Sequence, residues 1–350
     1  LMKNYARVDL SFVKGKGSEL KDSCGKKYID FASGIGVCSL GHAHKGLAKV
    51  ISKQAKTLIH TSNIYRIEPQ ERLAHKMSRL LGGDYLLFFG NSGAEANECA
   101  IKLARKWGYK HGKSGIISLA NSFHGRTIAT LKLTGQDKLH PEHFAPYPED
   151  MSFCASIEEM MTKATTNTAA IIIELVQGEG GINPLDKTAV KNLARFCQQN
   201  KILLITDEVQ CGCYRTGEFV TSKLYEIHPD IITFAKGLAG GVPIGACACR
   251  HDIFEAGDHG STFGGNFLSS TAALFVLDEL ESMRKNGELE QNIRAFESGL
   301  ESIANEFKGI IKRRVGLGLM QGLELKDESK LGEIFNAALA NGLLILKSGK

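Results

Sequence analysis

DIITFAKGLAGGVPIGA, residues Asp230 to Ala246, carries the apolar run Ile231-Ile232-Thr233-Phe234-Ala235 straight into Lys236 and then into Gly237, Gly240 and Gly241. The run reads as a buried strand. Burying an ammonium ion is costly unless it is paired or reacts. The lysine at that strand end is therefore expected to have a partner or a chemical task, and the rest of the chain is read for the groups that would surround it.

Strand-like runs recur upstream: Tyr85–Phe89, Gly115–Ala120, 169–176 and Ile202–Thr206, with Gly245–Cys249 just after. Helical patterns lie between several of them. In the segment from Glu95 to Trp107, Ala96, Cys99, Ala100, Leu103, Ala104 and Trp107 share one face, and a second pattern covers 187–200. Alternating strands and helices predict an α/β fold with a mainly parallel sheet covered by helices on both faces. GKKYIDFASGIGVCSL (25–40) reads as a strand and a glycine-rich loop. After about residue 250 the pattern changes to long helices at 271–285 and 289–307, a strand pair in RRVGLGLMQGLELK and a helix at 330–341. The expected division is an N-terminal segment 1–40 joining a small lobe, a large domain 41–250, and a smaller α+β lobe 251–350.

The 350 residues suffice for one large domain with a lobe or for two domains. With 43% hydrophobic and 23% charged residues the chain has an ordinary globular composition. Its net charge of +5 comes from scattered lysines and arginines, which argues against nucleic-acid or membrane partners. No apolar run reaches the roughly 18 residues of a spanning helix. LMKNYARVDLSF lacks the apolar stretch and cleavage site of a signal peptide. Nine cysteines, an odd number, predict reduced thiols and a cytoplasmic protein. Cys211-Gly-Cys213 and Cys247-Ala-Cys249 have CxC rather than CxxC spacing, which speaks against a metal site.

In open α/β sheets ligands sit beyond the carboxyl ends of the strands, so the polar residues there are the candidates. After 85–89 comes Asn91-Ser92-Gly93-Ala94-Glu95, a capping-box pattern. It is either a phosphate cradle, using the free N–H groups and the dipole, or simply a capped helix. No GK[ST] follows, so it is not a Walker motif. After 115–120 comes Asn121-Ser122-Phe123-His124-Gly125-Arg126-Thr127. Phe123 can cover a flat ligand and Arg126 can grip a carboxylate, unless these are a core ring and a solvated cation. After 202–205 comes Thr206-Asp207-Glu208-Val209-Gln210. A carboxylate ending so apolar a run should be buried with a cationic partner, the alternatives being a loop acid or a magnesium ligand. Lys236 completes the set, since a desolvated lysine becomes a nucleophile toward carbonyls. Anion cradle, aromatic cover, buried acid and nucleophilic lysine together match the needs of pyridoxal 5'-phosphate.

At this point the chain resembles the class III aminotransferases of the fold type I pyridoxal-phosphate enzymes, and within them the acetylornithine type. The matching stretches span nearly the whole chain: FASGIGVCSLGHAH, HTSNIY, FFGNSGAEANE, SFHGRT, ELVQGEGGINP, LLITDEVQCG, RTG, FAKGLAGGVPIGA and GSTFGGN. The resemblance implies that Lys236 bonds the cofactor's aldehyde and serves as general base. It pairs Asp207 with the pyridine nitrogen, places Gln210 near the phenolic oxygen and stacks Phe123 on the ring. Ser92, Gly93 and Ala94 would hold the phosphate. Arg126 would bind a substrate carboxylate, Glu179 would lie at the entrance, and Tyr65 would line the substrate pocket. Thr262 and Ser261 would reach the phosphate and the substrate of a partner subunit, which implies a homodimer.

The implied reaction moves the side-chain amino group of N-acetylornithine to 2-oxoglutarate, giving N-acetylglutamate semialdehyde and glutamate, a step of arginine biosynthesis. Ornithine, succinylornithine or 4-aminobutyrate are the alternative donors. His124 in SFHGRT favours the acetylornithine type, because ornithine enzymes more often have tryptophan there. Two departures stand out. Such enzymes continue beyond LLILKSGK with a short segment carrying an arginine and a proline pair, so a truncation or a further tail is expected here, and loss of the segment would affect carboxylate binding and small-lobe packing. VQCGCYRTG has Cys213 and Tyr214 where relatives often have a smaller residue and a glycine, so local repacking is expected. From other classes, a dehydrogenase would need GxGxxG after a first strand, and no such unit occurs. A catalytically inert binder of the same cofactor would keep Lys236 and its colour without turnover.

Overall fold

A computed structural model describes residues 1–140 and 142–349. Lys350, the last residue of LLILKSGK, lies outside them. Three N-terminal strands, β1 (Phe12–Lys16), β2 (Glu19–Asp22) and β3 (Lys27–Asp30), form an antiparallel meander. The large sheet follows with β4 (Leu86–Gly90), β5 (Gly115–Leu119), β6 (Met151–Cys154) and β7 (Thr168–Ile173). After the small ladder β8 (Val176–Gln177) and β9 (Asn183–Pro184) come β10 (Leu203–Asp207), β11 (Ile231–Phe234) and β12 (Gly245–Cys249). The strand order is β4-β12-β11-β10-β7-β5-β6. Only β12 runs against its neighbours, pairing antiparallel with both β11 and β4.

Two-sided burial explains why these strands are apolar runs rather than alternating ones. Ile172, Ile205 and Ile231 face one layer, where the helix Gly93–Lys110 packs Cys99, Ala100, Leu103 and Ala104. Ile171, Ile173 and Leu204 face the other, under Val190, Leu193 and Cys197 of the helix Lys187–Gln199. Small residues on the first helix let it lie close to the sheet. A side chain at Gly108 would meet the Lys113 carbonyl at 2.4 Å.

The remaining elements are helices Lys45–Thr57, Glu68–Leu81, Phe267–Lys285, Glu288–Glu306 and Leu331–Ala340, the hairpin β13 (Ile311–Leu317) and β14 (Met320–Leu325), and β15 (Leu343–Leu344). The hairpin and the last three helices match their expected positions. β15 adds in parallel to β3, so the two ends of the described chain share a four-stranded sheet. Among the described residues no helix is long and apolar enough to cross a membrane. Cys213 and Tyr214 are both buried and both left-handed, with φ of 52° and 65°. That backbone favours glycine, and here it is held because Tyr214 packs its ring 5.7 Å from Phe219.

The helices Glu68–Leu81 and Phe267–Lys285 are tied by a charge cluster. Lys76 Nζ lies 2.7 Å from both Asp278 and Glu281, and Lys285 Nζ lies 2.7 Å from Glu281. Lys285 and then Lys76 hold the Glu281 carboxyl down to about 2, against the opposing effect of its burial. A depressed acid adds stability above its unfolded value and loses it as pH falls through the folded one. Glu281→Gln should therefore lower the unfolding free energy at neutral pH by about 1 kcal/mol, allowing for solvent screening. Urea denaturation should show the difference shrinking as pH falls from about 4.5 toward about 2.

Candidate functional site

At the carboxyl ends of β10, β11, β7 and β5, and under the start of the helix Gly93–Lys110, lies a cavity of about 400 Å³. Ser92, Gly93, Ala94, Phe123, Arg126, Asp207, Gln210 and Lys236 all line it. Four segments, around Ser92, Phe123, Asp207 and Lys236, are thus delivered to one hollow by the strand order.

Each segment arrives for a local reason. Ser92 is the N-cap, its Oγ accepting the Glu95 N–H at 3.2 Å. The expected capping box closes differently: Glu95 Oε2 accepts the N–H of Asn91 (2.7 Å) and the hydroxyl of Ser92 (3.1 Å). The turn is therefore fixed one residue earlier, and the N–H groups of Gly93 and Ala94 begin the helix at the cavity. Gly93 is required there, since a Cβ would sit 2.8 Å from Val209. Phe123 is half-buried, with the Arg126 guanidinium 5.4 Å from its ring centroid. Gln210 is seated against Gly178 so closely that a Cβ there would lie 1.5 Å from its Oε1.

Asp207 is the most heavily bonded group. It is 3% exposed. Its Oδ2 accepts Asn97 Nδ2 and His124 Nδ1, both at 2.8 Å. Its Oδ1 accepts the Val209 N–H at 3.0 Å and the Thr233 hydroxyl at 3.4 Å. Because the acceptor is a carboxylate, the His124 proton sits on Nδ1, and its buried Nε2 has no partner among the described residues. Asn97 also donates to the His124 carbonyl (2.7 Å) and accepts from Thr233 (2.7 Å). Glu208 turns away, accepting the N–H groups of Thr221 and Ser222 at 2.8 and 2.9 Å.

Lys236 follows the buried β11 and is itself half-buried at φ 34°, a strained backbone of the kind found at functional positions. No ion pair or hydrogen bond holds its Nζ among the described residues.

The other expected residues lie apart. Glu179, Tyr65 and Thr262 are exposed and do not line the cavity. Ser261 stands at its edge: its Oγ accepts Asn91 Nδ2 at 3.2 Å and the Gly264 N–H at 2.9 Å. Asn97, His124 as a partner of Asp207, Thr233 and Glu174 are site residues that were not picked out from the sequence. The only signal for Asn97 was a polar side chain beside the apolar helix face.

The residues suit pyridoxal 5'-phosphate on the structure's own terms. A helix start with open N–H groups, a charge-satisfied carboxylate, an aromatic ring and an unpaired lysine border one hollow.

The model of the aminotransferase class-III family matches residues 2–350. This chain belongs to that family. It is 50% identical over 355 residues to the acetylornithine aminotransferase of Wolinella succinogenes, covering 100% of this chain and 90% of that protein. The ornithine aminotransferase of Toxoplasma gondii superposes with a TM-score of 0.91 at 30% identity, covering 99% of this chain and 84% of that one. The N-acetylornithine aminotransferase of Stenotrophomonas maltophilia superposes at 0.84 with 31% identity, covering 99% and 89%. The α/β fold expected of a fold type I aminotransferase is thus the observed one.

If the Asp207 network organises this class-III site, Asn97→Ala should destabilise the chain by on the order of 2–3 kcal/mol, because it strands Asp207 and Thr233 groups in the interior. Urea unfolding measures this, and a change below about 0.5 kcal/mol would mean the network is dispensable.

Proposed function

We propose that the chain is a pyridoxal-phosphate-dependent aminotransferase that moves the side-chain amino group of N-acetylornithine to 2-oxoglutarate, giving N-acetylglutamate semialdehyde and glutamate. This reaction would place it in arginine biosynthesis. The observation that carries the reading is Lys236, unpaired at the strand end, sharing one cavity with Asp207 and the Ser92–Ala94 helix start. The donor follows from the likeness to the Wolinella succinogenes protein and from His124 in SFHGRT.

Pyridoxal 5'-phosphate, when bound, supplies the reactive aldehyde and a ring that absorbs electrons released at the donor's carbon. The chain's residues do the rest. Ser92 Oγ and the Gly93 and Ala94 N–H groups would hold the phosphate at the helix start. Asp207, fixed in place by its hydrogen-bond donors, would hold a proton on the ring nitrogen. Phe123 would cover the ring and Gln210 would bond near its phenolic oxygen. Lys236 Nζ would hold the aldehyde and, as the general base, would carry the proton from the donor's amine-bearing carbon to the cofactor. Arg126 grips a substrate carboxylate bidentately. Glu179 and Tyr65 stand at the entrance.

Ser261 and Thr262 serve the partner's site in a homodimer. Exposed Ile64, Tyr65 and Phe263 near this segment supply an apolar surface of the kind an interface covers. Residues 41–250 form the cofactor-binding unit, with 251–350 and 1–40 as the small lobe. The unpaired thiols suit the cytoplasm.

The test is to load the chain with pyridoxal 5'-phosphate, add N-acetylornithine alone and follow visible absorbance. Bleaching of the yellow colour is expected, and Lys236→Ala should show neither the band nor turnover. Normal turnover in that variant would sink the assignment. A stable colour that bleaches only with ornithine, succinylornithine or 4-aminobutyrate would transfer the reading to that donor.

A further inference from the structure

Glu174 is the one buried acid of the cavity to which the proposed reaction assigns no task. It is 4% exposed and lines the cavity. Ile173 pairs in parallel register with Thr206, so the next residues outward, Glu174 and Asp207, stand side by side at the ends of β7 and β10. Two carboxyl groups therefore meet in one desolvated place. Their surroundings are unequal. Asp207 has Asn97, His124, Thr233 and the Val209 N–H as donors. The donors to Glu174 among the described residues are two backbone groups: Phe123 N–H to Oε2 at 2.8 Å and Gly178 N–H to Oε1 at 3.4 Å. Neighbouring buried carboxyls do not both ionise easily, and the better-solvated one keeps the charge.

We propose that Glu174 is a positioning residue that holds a proton, on Oε1, beside Asp207, so that below neutral pH this side of the cavity carries one negative carboxyl rather than two. The inference rests on the cofactor reading above. Three charged groups face Glu174: Asp207 favours the protonated form, while His124 and Lys236 act against it and are outweighed by burial. Asp207 comes from β10 and opposes a second negative charge. His124, on the loop after β5, is already committed to Asp207. Lys236 comes from the end of β11. An ionised Glu174 would hold that lysine as an ammonium ion, whereas a neutral one leaves Nζ free to attack an aldehyde. Oε2 meanwhile fixes the backbone of Phe123 and with it the ring. Burial pushes the Glu174 carboxyl up to about 7, prevailing over His124, with Asp207 adding to the rise and the Phe123 N–H and Lys236 opposing it.

Glu174→Gln tests this, because the amide resembles the neutral acid: one oxygen to accept the Phe123 N–H and one donor in place of the O–H, losing only the long Gly178 N–H contact. The sign follows from a raised acid. Between about pH 4.5 and about 7 the folded natural chain keeps a proton that the unfolded chain has released, so its stability falls across that window. The variant has no such loss. Thermal melting of the full chain should show the variant gaining several degrees on the natural protein between about pH 5 and about pH 8. The visible absorbance of bound pyridoxal phosphate should show a titration step near neutrality in the natural chain that is gone in the variant. A melting difference that does not change with pH, or the same spectral step in both proteins, would overturn the proposal. Should the variant not fold, infrared difference spectra of the natural chain between about pH 6 and about pH 8.5 must show a buried protonated carboxyl band disappearing. Its absence overturns the proposal as well. If the natural chain takes up no pyridoxal phosphate, the functional reading fails, while the melting arm still judges Glu174.

Discussion

A carboxylate with almost no access to water has to be solvated by the protein, and the structure around Asp207 is arranged to do so. Asn97 comes from the helix Gly93–Lys110, His124 from the loop after β5, Thr233 from β11 and the Val209 N–H from the turn after β10. These donors lock four separate segments to one another. The same segments carry Ser92, Phe123, Gln210 and Lys236, so satisfying one buried charge also fixes the outline of the cavity. A site built this way is preorganised: its groups are held by the fold before any ligand arrives.

Much of the architecture was legible because burial on both faces leaves a plain mark. β4, β5, β7, β10, β11 and β12 coincide with uninterrupted apolar runs, and the helix Gly93–Lys110 with a clean apolar face. Helices Lys45–Thr57 and Glu68–Leu81 were passed over, since one-sided burial leaves them rich in lysine, arginine and glutamate. β6 is only Met151–Cys154, too short for a periodic signal. The antiparallel course of β12 is set by the connection after Phe234, which passes through a 3-10 turn at Lys236–Ala239 and positive-φ Gly240 and Gly241, and not by its own residues, which read as a buried strand in either direction.

The site was legible where chemistry sits at strand ends and illegible where it depends on pairing across the fold. Asp207 and Lys236 could be singled out as charges ending apolar runs. Asn97, Thr233 and the Nδ1 of His124 could not, because each acquires its meaning only from Asp207, as many as 110 residues away. Glu174 escaped for a related reason: the register of β7 against β10 makes it a neighbour of Asp207. The C-terminal strand adds a long-range tie, since β15 joins β3, and Ser348 bonds the backbone of Gly178 and Gly181 beside Gln210.

The central claim is that the buried Asp207 keeps a proton on the ring nitrogen of bound pyridoxal phosphate. Nitrogen NMR on the chain loaded with ring-labelled cofactor tests it directly. The account predicts a protonated nitrogen in the natural protein and an unprotonated one in Asp207→Ala at the same pH. An unprotonated nitrogen in the natural protein would contradict it, and with it the role given to the network that holds Asp207 in place.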